Sequence, residues 1–205
     1  MGLMLGDGHA AMNAMMVLRG HPADYDAWAA NGCPGWSWND VEPAFARSAE
    51  GPFPLAQQRE PSVLTEAFVH AAQAVGIPFT DDLNADDNAG VGFVPVSQRR
   101  GRRFSVLDGY LEPARRRPNL TGVTGALVTR VRLQNGRAVG VAYRLHGEDV
   151  LEEEALAESE VVLCAGAIGT PHLLQLSGIG PRATLEAAGV EVLHEHAGVG
   201  ANLLD

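Results

Sequence analysis

Residues 161–180, VVLCAGAIGTPHLLQLSGIG, carry the pattern best suited to hold a ligand. A short apolar strand of the buried parallel type is predicted over 160–164, followed by small residues at 165–169 and a helix. We expect Thr170 to cap this helix and Pro171 to occupy its first position. The free N–H groups and positive dipole end of such a helix suit an anion or an electron-rich ring. An ordinary strand-to-helix turn of an α/β protein would have the same local features.

A second pattern with possible chemistry lies near the carboxyl end, where His194 and His196 flank Glu195. Alternate side chains of a strand share one face, so the two imidazoles could bind a metal ion together. Because no third ligand follows nearby in the sequence, a metal site is the less favoured interpretation. Ser177 lacks the leading glycine of a Gly-x-Ser-x-Gly nucleophile turn, which argues against a serine hydrolase of that type.

The elements that must position these residues are helical in the first half of the chain. Residues 1–20 are expected to form a glycine-containing loop that leads into a helix, and residues 21–61 an irregular aromatic lid. Helices are predicted over 62–76, capped by Ser62, and over 105–117. The first of these two helices has an apolar face at helical spacing, formed by Leu64, Ala67, Phe68, Ala71, Ala72 and Val75.

Beyond residue 120 the apolar period changes to two, which indicates strands. Asn135-Gly136 is a strong hairpin turn signal, and the strand returning over 138–145 is followed by a third around 150–156. This half of the chain is therefore predicted to contain a β-meander ahead of the strand, small-residue turn and helix that could hold a ligand.

The composition excludes several classes of protein. With 46% apolar residues in 205, the chain is not wholly disordered, and its net charge of -10 argues against a nucleic-acid or anionic-membrane binder. The two cysteines are too few for a disulfide framework and indicate a reducing, cytoplasmic location. Arginine clusters at 99–103 and 115–117 are interpreted as solvated faces, and no apolar run is long enough to span a bilayer.

Residues 166–180 resemble the second signature of the glucose–methanol–choline (GMC) oxidoreductases, and every constrained position of that signature fits. The likeness continues in order on both sides, so it covers essentially the whole chain. The flanking segments that carry it are 13–28, Gly35-Trp36-Ser37-Trp38, 90–103, 117–120, 126–143 and the final GVGANLLD at 198–205.

The resemblance implies an α/β (α+β mixed) fold that is part of a Rossmann-type FAD-binding domain with a β-meander and part of the substrate domain. It implies oxidation of a small-molecule alcohol by hydride transfer to N5 of FAD, as in a choline dehydrogenase-like enzyme. The FAD is expected to be non-covalent, because Met12 stands where some family members have the linking histidine. The cofactor-binding residues implied are Gly8, Asn13, Ala14, Met15, Met16, Val128, Gly166 and Ala167.

By the same resemblance, residues 1–61 hold the FAD-proximal loop, helix and lid, 62–118 a helical part, and 119–205 the FAD-domain meander and second signature. A GxGxxG unit and the family's catalytic histidine region have no counterpart in the sequence, so no catalytic residue is assigned. The isolated chain is expected to be inactive and to aggregate or form a homo-oligomer. The alternative is a degenerate, non-catalytic α/β module that acts through a protein partner, motivated by Asp7-Gly8-His9-Ala10 in place of the family's Gly-Gly-Ser-Ser type loop.

Overall fold

A computed structural model of the chain describes residues 2–4, 14–146 and 151–203, and these form two compact units. One unit is Ala10–Pro113, and the other combines Met1–His9 with Ala114–Asp205. Helices and strands are both present, which confirms the predicted mixed α/β class. Within the described residues, no helix is both long and apolar enough to cross a membrane.

Two helices lie within residues 21–61, so the irregular structure predicted for this segment is wrong. Helix α1 spans Pro22–Ala30 and helix α2 spans Trp38–Ala49. Each start is built by a local capping box: His21 accepts a hydrogen bond from the N–H of Ala23, and Asp24 accepts one from the N–H of His21. Ser37 and Asp40 repeat this arrangement at α2.

Aromatic side chains hold α1 against α2. The ring of Tyr25 lies 5.5 Å from that of Trp38 and 5.8 Å from that of Phe45, measured between centroids. Trp28 extends the cluster to Trp36 at 5.9 Å. Trp38 therefore packs α2 against α1, and Trp36 holds the connecting segment against Trp28, since edge-to-face and tilted ring pairs at these distances are favourable.

Helix α3 spans Val63–Ala74 and begins where the sequence predicts, with Ser62 accepting a hydrogen bond from the N–H of Thr65 at 3.1 Å. Of the predicted apolar face, only Ala72 is buried. Leu64 and Phe68 are 82% and 69% exposed, whereas Val69 and Ala72 are buried. Apolar residues surround most of this helix, so their spacing alone could not decide which stripe is buried.

Residues 14–20 are not helical, so the helix predicted within 1–20 does not include them; residues 5–13 lie outside the described residues. Met16 forms a bridge with Val96, and the N–H of Val17 donates to the carbonyl of Pro95 at 2.9 Å. Short apolar runs such as this one fit a helix or a strand equally, and here distant backbone partners decide in favour of the extended form.

The rest of this unit is a hairpin and a short helical segment. Strands β2 (Gln98–Arg99) and β3 (Arg102–Arg103) are antiparallel. A π-helical turn, Leu107–Leu111, continues into the short helix α4, Glu112–Ala114. The helix predicted over 105–117 is thus shorter. Asp108 accepts hydrogen bonds from the backbone and side chain of Ser105, and these bonds lower the pKa of its carboxyl.

The second unit contains the predicted meander. Strands β5 (Ala126–Gln134), β6 (Arg137–Leu145) and β7 (Glu153–Leu156) form an antiparallel sheet in that order, and a separate pair joins β1 (Gly2–Met4) parallel to β4 (Leu120–Gly122). The turn residues Asn135 and Gly136 have φ of 52° and 74°, the conformation that a two-residue hairpin turn needs. The hairpin prediction is therefore confirmed.

The edge of this meander carries an acid-sensitive contact at Glu152. Its carboxylate accepts a hydrogen bond from Thr129 and pairs with Arg130 at 2.7 Å; chiefly the Thr129 bond holds its pKa below the ordinary value of 4.5. A carboxyl whose pKa is lower in the folded than in the unfolded state stabilises the fold at pH values above its unfolded-state pKa. This stabilisation is lost as the pH falls through the folded-state pKa. In urea unfolding between about pH 7 and about pH 3, we expect the free energy of unfolding to fall less steeply with decreasing pH in Glu152→Gln than in the unmodified protein. The exposed Glu158→Gln should leave the profile unchanged; equal profiles for the two variants would contradict the assignment.

The sheet is followed by helix α5 (Gly166–Leu176), strand β8 (Ile179–Gly180), helix α6 (Arg182–Ala187) and strand β9 (His194–Glu195), with β9 parallel to β8. Residues 160–164 form no strand in the structure, and Val162 is 72% exposed, so the predicted buried strand is wrong. A central parallel strand needs neighbours on both edges, and among the described residues no segment pairs with this one.

Candidate functional site

The start of helix α5 is a turn of small residues. Gly166 is the first helical residue and has φ +83°, a conformation that glycine adopts without strain. The hydroxyl of Thr170 accepts a hydrogen bond from the N–H of Ala165 at 3.1 Å. Thr170 and Pro171 therefore lie inside the helix, and the prediction that they cap and begin it is wrong. The helix starts five residues earlier, because the left-handed Gly166 turns the chain into it.

A groove of about 660 Å³ runs along the exposed side of this helix. One wall is formed by α5, from Ala167 to Gln175, and the other by residues 198–203. Gln175 fixes the second wall, since its side-chain amide donates to the carbonyl of Val199 at 3.1 Å. The sequence had indicated the helix wall only. The glycine spacing of Gly198 and Gly200 was the signal that could have identified the other wall.

The lining of the groove suits a ligand with negative charge or an electron-rich ring. Among the described residues no carboxylate lines it, and the first-turn N–H groups of a helix have no acceptor inside the helix. The opposite wall turns sharply at Gly200 and Asn202, whose φ values are +80° and +56°. Ala167 on the helix wall and Gly198 and Gly200 on the other wall allow close approach to the backbone.

Ser177 joins helix α5 to the meander. Its side chain is buried, and its hydroxyl accepts a hydrogen bond from the N–H of Val131 on β5 at 2.7 Å while donating to the carbonyl of Leu173 at 2.6 Å. This serine therefore has a positioning role: it satisfies a buried donor on the strand and ends the helix at the same point. No sequence pattern indicates this role beyond the signature that contains it.

Replacing Ser177 by Ala is expected to destabilise the fold by about 1–3 kcal/mol, because the N–H of Val131 would remain buried without an acceptor. Urea unfolding measures the loss. Ser159→Ala, at an exposed serine, is the matched control and should change stability by no more than about 0.5 kcal/mol. Similar values for the two variants would show that the Ser177–Val131 bond is not a structural link.

Val128 lies on β5 next to a β-bulge. It pairs with Tyr143, whereas the next paired residue, Arg130, faces Ala142, so Thr129 is an extra residue on this strand. Bulges redirect the backbone and end regular pairing locally, which is a suitable setting for a backbone contact to a ligand. Val128 does not line the groove described above.

The other predicted cofactor residues divide between two places. Of Gly166 and Ala167, Ala167 lines the groove and Gly166 precedes it as the first helical residue. Ala14, Met15 and Met16 belong to the other unit, on the extended segment paired with residues 95–97. There Met15 has φ +65°, an uncommon conformation for a non-glycine residue. Gly8 and Asn13 lie outside the described residues, as does Met12.

The histidine pair near the carboxyl end is not part of a metal site among the described residues. The rings of His194 and His196 are 6.4 Å apart, and Glu195 between them pairs with Arg182 at 3.0 Å. Within the part of the chain that the structure describes, no group of three or more metal-binding side chains lies close enough to hold an ion.

The chain is similar to oxidoreductases both in sequence and in structure. The chain is 41% identical over its whole length to an uncharacterized GMC-type oxidoreductase of Mycobacterium bovis and 38% identical to an oxygen-dependent choline dehydrogenase of Photobacterium profundum, of which it covers 41% and 38%. Among solved structures, an FAD-dependent oxidoreductase from Chaetomium thermophilum matches 91% of the chain with a TM-score of 0.80 and 29% identity; the chain covers 36% of that protein. The chain thus spans about two fifths of the length of these relatives.

The sequence model of the GMC oxidoreductases matches residues 1–205, which is the entire chain. The second signature that the sequence carries forms helix α5, its small-residue start and the Ser177 link to the meander. The chain belongs to the GMC oxidoreductase family.

Proposed function

We propose that the protein oxidises the CH–OH group of a small alcohol with FAD as cofactor, and that this chain supplies part of the FAD-binding domain. The observation that carries the proposal is the groove at the start of helix α5, formed by the family's second signature and residues 198–203. A choline dehydrogenase and an FAD-dependent oxidoreductase among the relatives support the substrate class and the cofactor.

The residues present fit such a cofactor. In the part of the chain that the structure describes, no carboxylate lines the groove, Ala167 lies at the start of one wall and glycines on the other, and the helix start favours negative charge. Both Gly200 and Asn202 hold the backbone of the second wall in left-handed turns. When bound, FAD would accept the hydride from the alcohol carbon at its N5 atom.

Each predicted residue has a proposed role in holding the cofactor. Gly166 and Ala167 allow close backbone approach, and the bulge beside Val128 presents backbone to the adenine end. We propose that residues 13–16 contact the flavin and that Gly8 contributes to the same cofactor site. Binding is proposed to be non-covalent. No residue of this chain is proposed as the catalytic base, since a base must reach the hydroxyl proton and none is assigned that role.

The experiment that tests cofactor binding is an absorbance spectrum of the purified protein, in the longest form that contains this chain, followed by titration with FAD. We expect the two visible bands of bound oxidised flavin, and their release on denaturation, because the link is non-covalent. A colourless protein that takes up no FAD would overturn the proposal and favour the non-catalytic module. A cytoplasmic location is part of the proposal, supported by the free, exposed thiols of Cys33 and Cys164.

A further inference from the structure

The hairpin formed by β2 and β3 concentrates positive charge in an acidic protein. Four of the chain's fifteen cationic residues lie within five positions, Arg99–Arg103, around a turn at Arg100 and Gly101 with φ values of 55° and 75°. Their side chains and Phe104 line one open groove of about 590 Å³. We call Gln98–Phe104 the arginine hairpin. Its sequence was interpreted above as a solvated face.

Two of these arginines lie directly opposite each other. Arg99 pairs with Arg102 in the antiparallel register, so both side chains project from the same face of the two-stranded ribbon. Like charges in directly opposite positions destabilise a strand pair. Within the part of the chain that the structure describes, no carboxylate lies at ion-pair distance from Arg99, Arg100 or Arg102. The repulsion between Arg99 and Arg102 is therefore not relieved by the described residues.

Arg99 is also held in place. Its guanidinium carbon lies 4.1 Å from the centre of the Phe104 ring, and one of its nitrogens donates to the carbonyl of Pro52 at 3.2 Å. Stacking and a backbone hydrogen bond together fix one guanidinium beside a second one across the ribbon. Arg99 therefore loses little side-chain entropy when an anion binds.

We propose that the arginine hairpin binds the phosphoryl group of a small phosphate monoester. A dianion neutralises both opposed guanidinium groups at once, and a phosphate offers three acceptor oxygens to their forked donors. A nucleic acid or acidic protein is less favoured, because a net charge of -10 repels polyanions and a two-residue turn is small beside a macromolecular interface. The site belongs to the unit Ala10–Pro113 and does not depend on the proposed flavin groove.

Calorimetric titration of the protein with inorganic phosphate and pyrophosphate at constant ionic strength tests the proposal. We expect binding with a dissociation constant of about 1 mM or tighter. The double variant Arg99→Gln/Arg102→Gln should weaken it by about tenfold or more. Arg116→Gln/Arg117→Gln removes the same charge from the other exposed cluster and should leave affinity within about twofold. Arg99→Lys/Arg102→Lys keeps the charge without the planar guanidinium fork, so its affinity should lie between those of the two Gln double variants.

Three results would overturn the proposal. One is equal weakening in both Gln variants, which would indicate a response to net charge. Another is that the folded, unmodified protein binds neither phosphate nor pyrophosphate. The third is hairpin-dependent binding of polyglutamate, DNA or phosphatidic acid vesicles without binding of the soluble phosphates, which would assign the hairpin to a macromolecule or a membrane.

Discussion

Replacing Ala167 by Asp is expected to weaken FAD binding by about tenfold or more while leaving the fold intact or slightly more stable. Ala167 is the second residue of helix α5 and lines the groove, so the new carboxylate would bring bulk and negative charge to the site. An acidic side chain in the first turn of a helix stabilises the helix by about 0.3–1 kcal/mol. Binding and stability should therefore change in opposite directions, which excludes misfolding as the cause of lost cofactor.

Ala183→Asp is the matched control for this change. Ala183 is the second residue of helix α6, is exposed, and does not line the groove. The control should stabilise the protein similarly and leave FAD affinity unchanged. FAD affinity, followed by flavin fluorescence, and urea unfolding of both variants provide the comparison. Unchanged affinity in Ala167→Asp would show that the groove does not hold the cofactor.

Replacing Gly178 by Ala is expected to be the most destabilising of these substitutions, at about 3 kcal/mol or more. Gly178 has φ +81°, and a Cβ there would lie 2.6 Å from the carbonyl oxygen of Glu191 and 2.8 Å from the side chain of Leu193. Its own carbonyl accepts hydrogen bonds from the N–H groups of Leu193 and His194, at 2.9 and 3.0 Å. The clash cannot be relieved without moving the backbone that joins β8 to β9.

Gly189→Ala separates the two causes of this loss. Gly189 has φ +69°, but a Cβ at this position would meet no heavy atom within 4 Å. This control should therefore cost only the conformational strain, about 1–2 kcal/mol. Urea unfolding should give a clearly larger loss for Gly178→Ala. Equal losses in the two variants would mean that the close approach at Gly178 is not a constraint on the fold.

The elements that the sequence predicted correctly are those encoded by neighbouring residues. The β5–β6 hairpin follows from period-two strands around Asn135-Gly136, and the start of α3 follows from Ser62. Helices α1 and α2 were also encoded locally, by Pro22 after His21 and by Ser37 three residues before Asp40. These capping signals were outweighed by the high content of Gly, Pro and Trp in the same stretch, which suggested an irregular loop.

The errors concern features that depend on distant partners. Residues 14–20 become extended because they meet residues 95–97, and 160–164 have no strand partner among the described residues. At helix α5, Thr170-Pro171 is a strong local start signal, yet the positive φ of Gly166 and the bond from Ala165 to Thr170 begin the helix earlier. The wall at 198–203 joins α5 through Gln175, a contact between residues 24 apart that no local pattern reports.

Reduction of the bound flavin by an alcohol in the absence of oxygen tests the proposed function most directly. The protein, in the longest form that contains this chain and loaded with FAD, would be mixed anaerobically with choline and with a panel of other primary alcohols. We predict that at least one alcohol bleaches the visible flavin bands and that admission of an electron acceptor restores them. Flavin that stays bound and oxidised with every alcohol, yet is bleached by a chemical reductant, would contradict alcohol oxidation by this protein.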